Sequence, residues 1–145
     1  MIVFADTSAL FALLVRNDYM YVRAKKNFEY FVENNTPLLT SSYVLLETLT
    51  LLQRRVGMEA VGDFNRKIVP LLDILWVDEG WHTRAMQRLN AEGNRSVSLT
   101  DCLSFEIMEA REITTAFAFD AHFTESGFEI AAFHNLDAIR NGGGL

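Results

Sequence analysis

The chain has 145 residues, 50% hydrophobic and 22% charged, which suits one compact domain with a substantial core and excludes a largely disordered chain. Its single cysteine, Cys102, cannot form an intramolecular disulfide, and the longest early apolar run, Ala9 to Val15, is far short of the roughly 20 residues that span a bilayer. With Asp6 interrupting any signal-like start, a cytoplasmic protein with no membrane association is expected.

The formal net charge of -6 argues, by itself, against a nucleic-acid binder. Composition misleads, however, if four of the 19 acids converge on one site: they then account for -4 of the -6, and two divalent cations bring the total to about -2. The sign of the local field depends on the metal.

In chain order, apolar runs alternate with helix-period segments, the pattern of an α/β domain. Ile2 to Ala5 reads as a buried strand, followed by a turn at Asp6, Thr7 and Ser8 and a short apolar helix. Tyr21 to Glu33 sets Val22, Phe28, Phe31 and Val32 among Arg23, Lys25, Lys26 and Glu29, a helix with one wet face. Pro37 to Thr40 is a second strand, and Ser41 or Ser42 caps a helix running to Val56, where Gly57 stops it. A helix from Met58 leads to Pro70, Leu72 to Val77 is a third strand, and Glu79 to Asn90 a helix. After a polar loop from Glu92 to Val97, Ser98 caps a helix from Leu99 to Arg111. Ile113 to Phe119 is a fourth strand ending at Asp120, and Phe128 to Phe133 is a candidate fifth. The expected organisation is one domain over residues 1–139 and a flexible tail, 140–145, with three consecutive glycines.

In an open parallel sheet, ligand chemistry gathers beyond the carboxyl ends of the strands, where Asp6 and Asp120 both fall. Either one, taken singly, is as readily a helix-capping residue. Glu47 does not sit on a clean solvated face, and the positions three and four residues away on its helix carry no basic partner, although Arg54 lies two turns on. Asp101 follows Ser98 by three, as a capping-box partner does, yet its helical row continues through Phe105 and Met108 and so faces inward. Four carboxylates sharing one pocket cannot all be ionised unless cations neutralise them, and hard oxygen ligands select Mg2+ or Mn2+. His82, His122 and His134 show no ligand or base spacing and read as structural or surface residues, His122 being the one to test because it neighbours Asp120. Glu106 has no functional reading, Cys102 reads as a buried apolar side chain, and Arg16, Arg23, Lys25 and Lys26 are candidates for a basic rim, although basic residues on a helix usually form a solvated face.

Four segments then stand in a familiar order: Val3-Phe4-Ala5-Asp6-Thr7-Ser8-Ala9-Leu10, Leu46-Glu47-Thr48-Leu49, Ser98-Leu99-Thr100-Asp101-Cys102, and Ala118-Phe119-Asp120-Ala121-His122-Phe123 with Gly127-Phe128. Over Ile2 to about Phe133 the chain resembles the PIN domain, especially the short members that include VapC-type toxins of toxin-antitoxin pairs. The resemblance implies a three-layer α/β/α fold around a parallel sheet of four or five strands, an acidic pocket for Mg2+ or Mn2+, and hydrolysis of RNA. It assigns Asp6, Glu47, Asp101 and Asp120 to catalysis and metal binding, with Thr7 and Thr100 as supports. Ala118 departs from it, since relatives often carry a hydroxyl before the last acid. Homodimerisation and a small antitoxin partner are further implications.

The mechanism expected from these residues is in-line attack by a metal-activated water, with the metal held by Asp6 and Asp101 and the site completed by Glu47 and Asp120. Two other readings compete. One makes Asp6 a phosphoaspartate nucleophile of a haloacid-dehalogenase-like phosphatase, although Ser8 stands where such sites carry a second Asp. The other is a catalytically silent protein-interaction module whose acids are only caps and ion-pair partners.

Overall fold

Val3, Phe4 and Ala5 form β1 (Val3–Ala5) and are all fully buried, as a strand covered on both faces must be. The structure is a computed structural model that describes residues 1–131; the expected tail, the end of the expected fifth strand and His134 lie outside the described residues. β1 is the middle of a five-stranded parallel sheet whose other members are β2 (Leu38–Ser41), β3 (Asp73–Leu75), β4 (Thr115–Phe117) and β5 (Glu129–Ile130). Their order is β3-β2-β1-β4-β5, so the chain builds outward on one side of β1 and then returns to the other. Helices flank this sheet in the expected α/β/α arrangement. The reversal falls between β1 and β4, and their register, Phe4 opposite Ala116 and Ala5 opposite Phe117, brings both carboxyl ends to one level.

The helices are α1 (Thr7–Ala12), α2 (Tyr21–Glu33), α3 (Ser42–Arg55), α4 (Met58–Asp63), α5 (Glu79–Glu92), α6 (Leu99–Ala110) and α7 (Ala121–Glu125). Ser41, rather than Ser42, caps α3 by accepting from the Val44 amide at 3.2 Å, and Gly57 ends that segment at φ 134°, a region open to glycine and strained for other residues. The expected single helix from Met58 to Pro70 is in fact three pieces. After α4 the backbone widens into a π turn over Phe64–Ile68, burying Phe64 completely, and then tightens into a 3-10 turn over Val69–Leu71. Pro70 has no amide hydrogen, so an α ladder cannot continue through it.

Strands are shorter than the apolar runs that encode them. The run Ile113 to Phe119 pairs only over Thr115–Phe117, because β1 offers three residues of ladder and the Phe119 amide turns away to donate to Ser8 Oγ at 2.9 Å. That turn starts α7, a five-residue helix too short to leave a periodic signal, and the sequence reading does not contain it.

Glu106, which carried no role in the sequence, is structural. It accepts from Arg88 Nη1 at 2.8 Å and lies 3.5 Å from Arg84 Nε, fastening α5 to α6. Arg88 also meets Glu109 at 3.0 Å and covers the Phe105 ring, in the row of α6 that begins at Asp101. Replacing Arg88 with Ala leaves the half-buried Glu106 carboxylate short of its principal partner. Arg88→Ala is expected to lower stability by about 2 kcal/mol in urea unfolding. A change below about 0.5 kcal/mol would show that α6 is held by apolar packing alone.

Candidate active site

Three of the four candidate acids are positioned by helix N-termini at the carboxyl end of the sheet. Asp6 follows β1 directly and caps α1, accepting from the Ser8 amide at 3.1 Å and from Ser8 Oγ at 2.6 Å. Asp120 follows β4 by three residues and caps α7 through the His122 amide at 2.9 Å. Asp101 is the third residue of α6 and completes a capping box with Ser98: the Asp101 amide donates to Ser98 Oγ at 3.0 Å, and the Ser98 amide donates to Asp101 Oδ2 at 3.3 Å. The capping geometry is therefore real for each of them. It does not compete with a shared site, because the same caps lead into one crevice.

Convergence is visible in the electrostatics. Asp6 is 3% exposed, and burial pushes its pKa from 3.8 up to about 7; the Ser8 hydrogen bonds oppose the rise, while Asp101 and Glu47 add to it. Desolvation also raises Asp101, helped by Asp120 and, more weakly, by Glu47. Glu47, on α3, is half-buried and acts on both Asp6 and Asp101, so all four acids share one field. None of the four meets a lysine or arginine at ion-pair distance among the described residues.

His122 belongs to this site, contrary to the surface or structural role read from the sequence. Its Nδ1 lies 3.0 Å from Asp120 Oδ1 and 3.3 Å from Asp101 Oδ2. That nitrogen is shielded from solvent, yet its direction satisfies no hydrogen bond to either oxygen. Burial works to lower the imidazole pKa, but Asp120 and Asp101 outweigh it and raise it above 6.5. His82, by contrast, is structural, with Nδ1 2.6 Å from the Tyr43 hydroxyl, linking α5 to the start of α3.

Ser8 is the other residue whose part the sequence does not disclose. Its hydroxyl donates to Asp6 Oδ2 and accepts from the Phe119 amide, tying the end of β1 to the segment that carries Asp120. The Thr7 hydroxyl makes no hydrogen bond to the acids among the described residues; it donates toward Val44 O at 3.5 Å and receives Thr48 Oγ1 at 3.4 Å, holding α1 against the helix of Glu47. Thr100 contributes its carbonyl to Ser104 Oγ at 2.9 Å, and its side chain makes no hydrogen bond among the described residues. Ala118 is fully buried and lends Asp120 no hydroxyl; the support comes instead from the His122 amide.

One ligand atom each from Asp101, Asp120 and His122 lies within 4.8 Å of the other two. Two donors on one small cation at bond lengths near 2.1 Å are separated by about 3 to 4 Å, so a modest closure brings this group into coordination range. Two hard oxygens, an imidazole nitrogen within reach of both, and a raised acid pKa next door together fit a divalent cation.

Without metal, the three shifted groups act on stability in the same sense. A folded Asp6 pKa near 7, against 3.8 unfolded, means that ionising it costs the folded state progressively as pH rises from about 4 to 7, by about 4 kcal/mol in all. Asp101 is raised likewise, and the protonated His122 stabilises below its unfolded value of 6.5 and ceases to do so as pH passes its folded one. In chelator, Asp6→Asn is expected to unfold at higher urea than the unsubstituted protein at pH 8, with the gap closing toward pH 4. Equal or lower stability of the variant at pH 8 would show that Asp6 is not under this load.

A PIN-domain family model matches residues 3–129. The chain is 32% identical over 127 residues to the 23S rRNA-specific endonuclease VapC20 of Mycobacterium tuberculosis, spanning 87% of this chain and 95% of that protein. The fold is similar to the crystal structure of VapC20, a sarcin-ricin loop cleaving toxin, with a TM-score of 0.76 at 31% identity, covering 87% of this chain and 95% of that one. It is also similar to FitAcB from Neisseria gonorrhoeae, with a TM-score of 0.65 over 90% of this chain and 97% of that one, where 13% identity shows the fold alone. Strand order, helix caps and these matches agree: the chain belongs to the PIN-domain family.

Proposed function

We propose that this protein is an endoribonuclease that hydrolyses RNA phosphodiester bonds with Mg2+ or Mn2+, and that it is the toxin of a toxin-antitoxin pair. The single observation that carries the reading is the crevice between β1 and β4, where Asp6, Glu47, Asp101 and Asp120 share one field with the His122 imidazole but with no lysine or arginine at ion-pair distance among the described residues. The kinship to VapC20, a 23S rRNA-specific endonuclease, supports RNA as the substrate class. The proposed setting is the cytoplasm, where RNA and a small antitoxin are at hand. Among the described residues no helix is long and apolar enough to cross a membrane. Exposed Tyr19, Leu46 and Trp76 offer apolar surface for a protein partner, whether antitoxin or a second copy in a homodimer.

In this reading Asp101, Asp120 and the His122 imidazole would hold the cation, in place of the Asp6 and Asp101 pair expected from the sequence, and Asp6 and Glu47 would complete the site or a second one. When bound, the cation supplies Lewis acidity, making water nucleophilic near neutral pH and withdrawing charge from the scissile phosphate. Ser8, which donates to Asp6 Oδ2 and accepts from the Phe119 amide, would hold the Asp6 carboxyl in place for its part in the site. Thr7 and Thr48 keep α3, and with it Glu47, at a set distance from β1.

The protein is expected to cleave RNA in Mn2+ or Mg2+ and to stop on addition of chelator, and Asp6→Asn and Asp101→Asn each to reduce the rate at least about 100-fold. Chelator-insensitive cleavage, or full activity in both variants, contradicts the mechanism. A silent binding module would ignore Mn2+ in thermal unfolding, and a phosphatase would yield a trapped phosphoaspartate at Asp6. His122→Ala is expected to weaken Mn2+ binding about 10-fold in calorimetry, and unchanged affinity would remove it from the metal's surroundings.

A further inference from the structure

Arg23 is unlike the other half-buried arginine near the sheet. Arg88 is fully engaged with Glu106 and Glu109, whereas Arg23 meets no carboxylate among the described residues, and its Nε is shielded from solvent without a hydrogen bond. The guanidinium carbon sits 5.6 Å from the centre of the Phe119 ring, one residue before Asp120. Arg23, Phe119 and Asp120 line one open cleft of about 170 Å3, with Met20 and Ile130 on its other sides.

The position is costly for a cation that does nothing. Arg23 is the third residue of α2, where the helix dipole disfavours positive charge, and the N-cap residue, Met20, offers no side-chain acceptor. An arginine whose donors lack an acceptor among the described residues, braced on an aromatic face at a helix N-terminus, is suited to an anion with several oxygens. The cleft also opens on Asp120, so an anion there lies next to the proposed cation site.

We propose that Arg23, braced by Phe119, forms a subsite for an RNA phosphate adjacent to the one that is cleaved. This rests on the nuclease reading and deepens it. The subsite answers the difficulty posed by a net charge of -6: backbone contact is concentrated at one cationic point beside the acids, whose repulsion a bound metal would offset. Arg23 positions the strand and takes no part in the bond-breaking step.

The test compares the unsubstituted protein with Arg23→Gln and Arg23→Lys, after circular dichroism confirms that each is folded. Cleavage of an RNA oligonucleotide in Mn2+ is followed alongside fluorescence-anisotropy binding of a cleavage-resistant phosphorothioate version. Arg23→Gln is expected to raise KM and Kd about 10-fold with kcat changed less than about 2-fold, and to make the slope of log affinity against log salt shallower by about 0.7, one phosphate contact on a single strand. Arg23→Lys should recover part of the affinity and the salt slope, since it keeps the charge and loses the planar fork. Unchanged KM, Kd and salt slope in Arg23→Gln overturn the subsite, as does a fall in kcat alone. Binding of polyglutamate that requires Arg23, with RNA affinity unaltered, would assign the cleft to an acidic protein segment and also overturn it. If the unsubstituted protein binds RNA in an Arg23-dependent way but cleaves none, the nuclease reading fails and the phosphate subsite stands.

Discussion

Removing a carboxyl group from water is expensive, and at Asp6 the fold does so beside two other acids. Desolvation is the largest influence on this group, and two hydrogen bonds from Ser8 only partly offset it. Such a residue is retained at the end of the central strand only if something else compensates the folded state when it ionises. The candidate is a cation, and much of the surrounding architecture can be understood as keeping the acids close enough to share one. The order in which strands are added reverses at that point, and α1, α6 and α7 each present an N-terminus on which one acid is held.

Helix capping and site formation are here the same interaction seen from two sides. Backbone amides partly stabilise Asp6, Asp101 and Asp120 before any ligand arrives, which fixes their orientation and limits the repulsion among them. Packing completes the arrangement. The Arg88 and Glu106 contact holds α6 to α5, Thr7 and Thr48 hold α1 to α3, and Ser8 ties the two strand ends together. Stability and function thus draw on one set of contacts, and the metal-free protein carries electrostatic strain that rises with pH.

The sequence disclosed this site unevenly, for physical reasons. Asp101 was legible because its row through Phe105 and Met108 is apolar, so an acid in that row had to face inward; all three are buried. Asp6 was legible from the apolar strand before it, and the short apolar runs marked the sheet correctly while overstating strand length. His122 was not legible, since its place depends on α7, a single turn whose direction is set by the Phe119 to Ser8 hydrogen bond, a contact 111 residues apart in sequence. The break of α4 into π and 3-10 turns was likewise hidden, apart from Pro70, because burial of Phe64 is a tertiary demand. Glu106 looked unexplained because its partners lie on another helix.

The central claim is that a hard cation takes the place of protons in a crowded acidic crevice. The most direct measurement is the number of protons released when Mn2+ binds, obtained by calorimetry at pH 6.5 in buffers of different ionisation enthalpy. With Asp6 titrating near 7 and His122 raised above 6.5 in the free protein, both carry protons at this pH, so release of more than one proton is expected, falling by somewhat less than one in Asp6→Asn. Binding with no proton release, or no binding at all, would contradict the account.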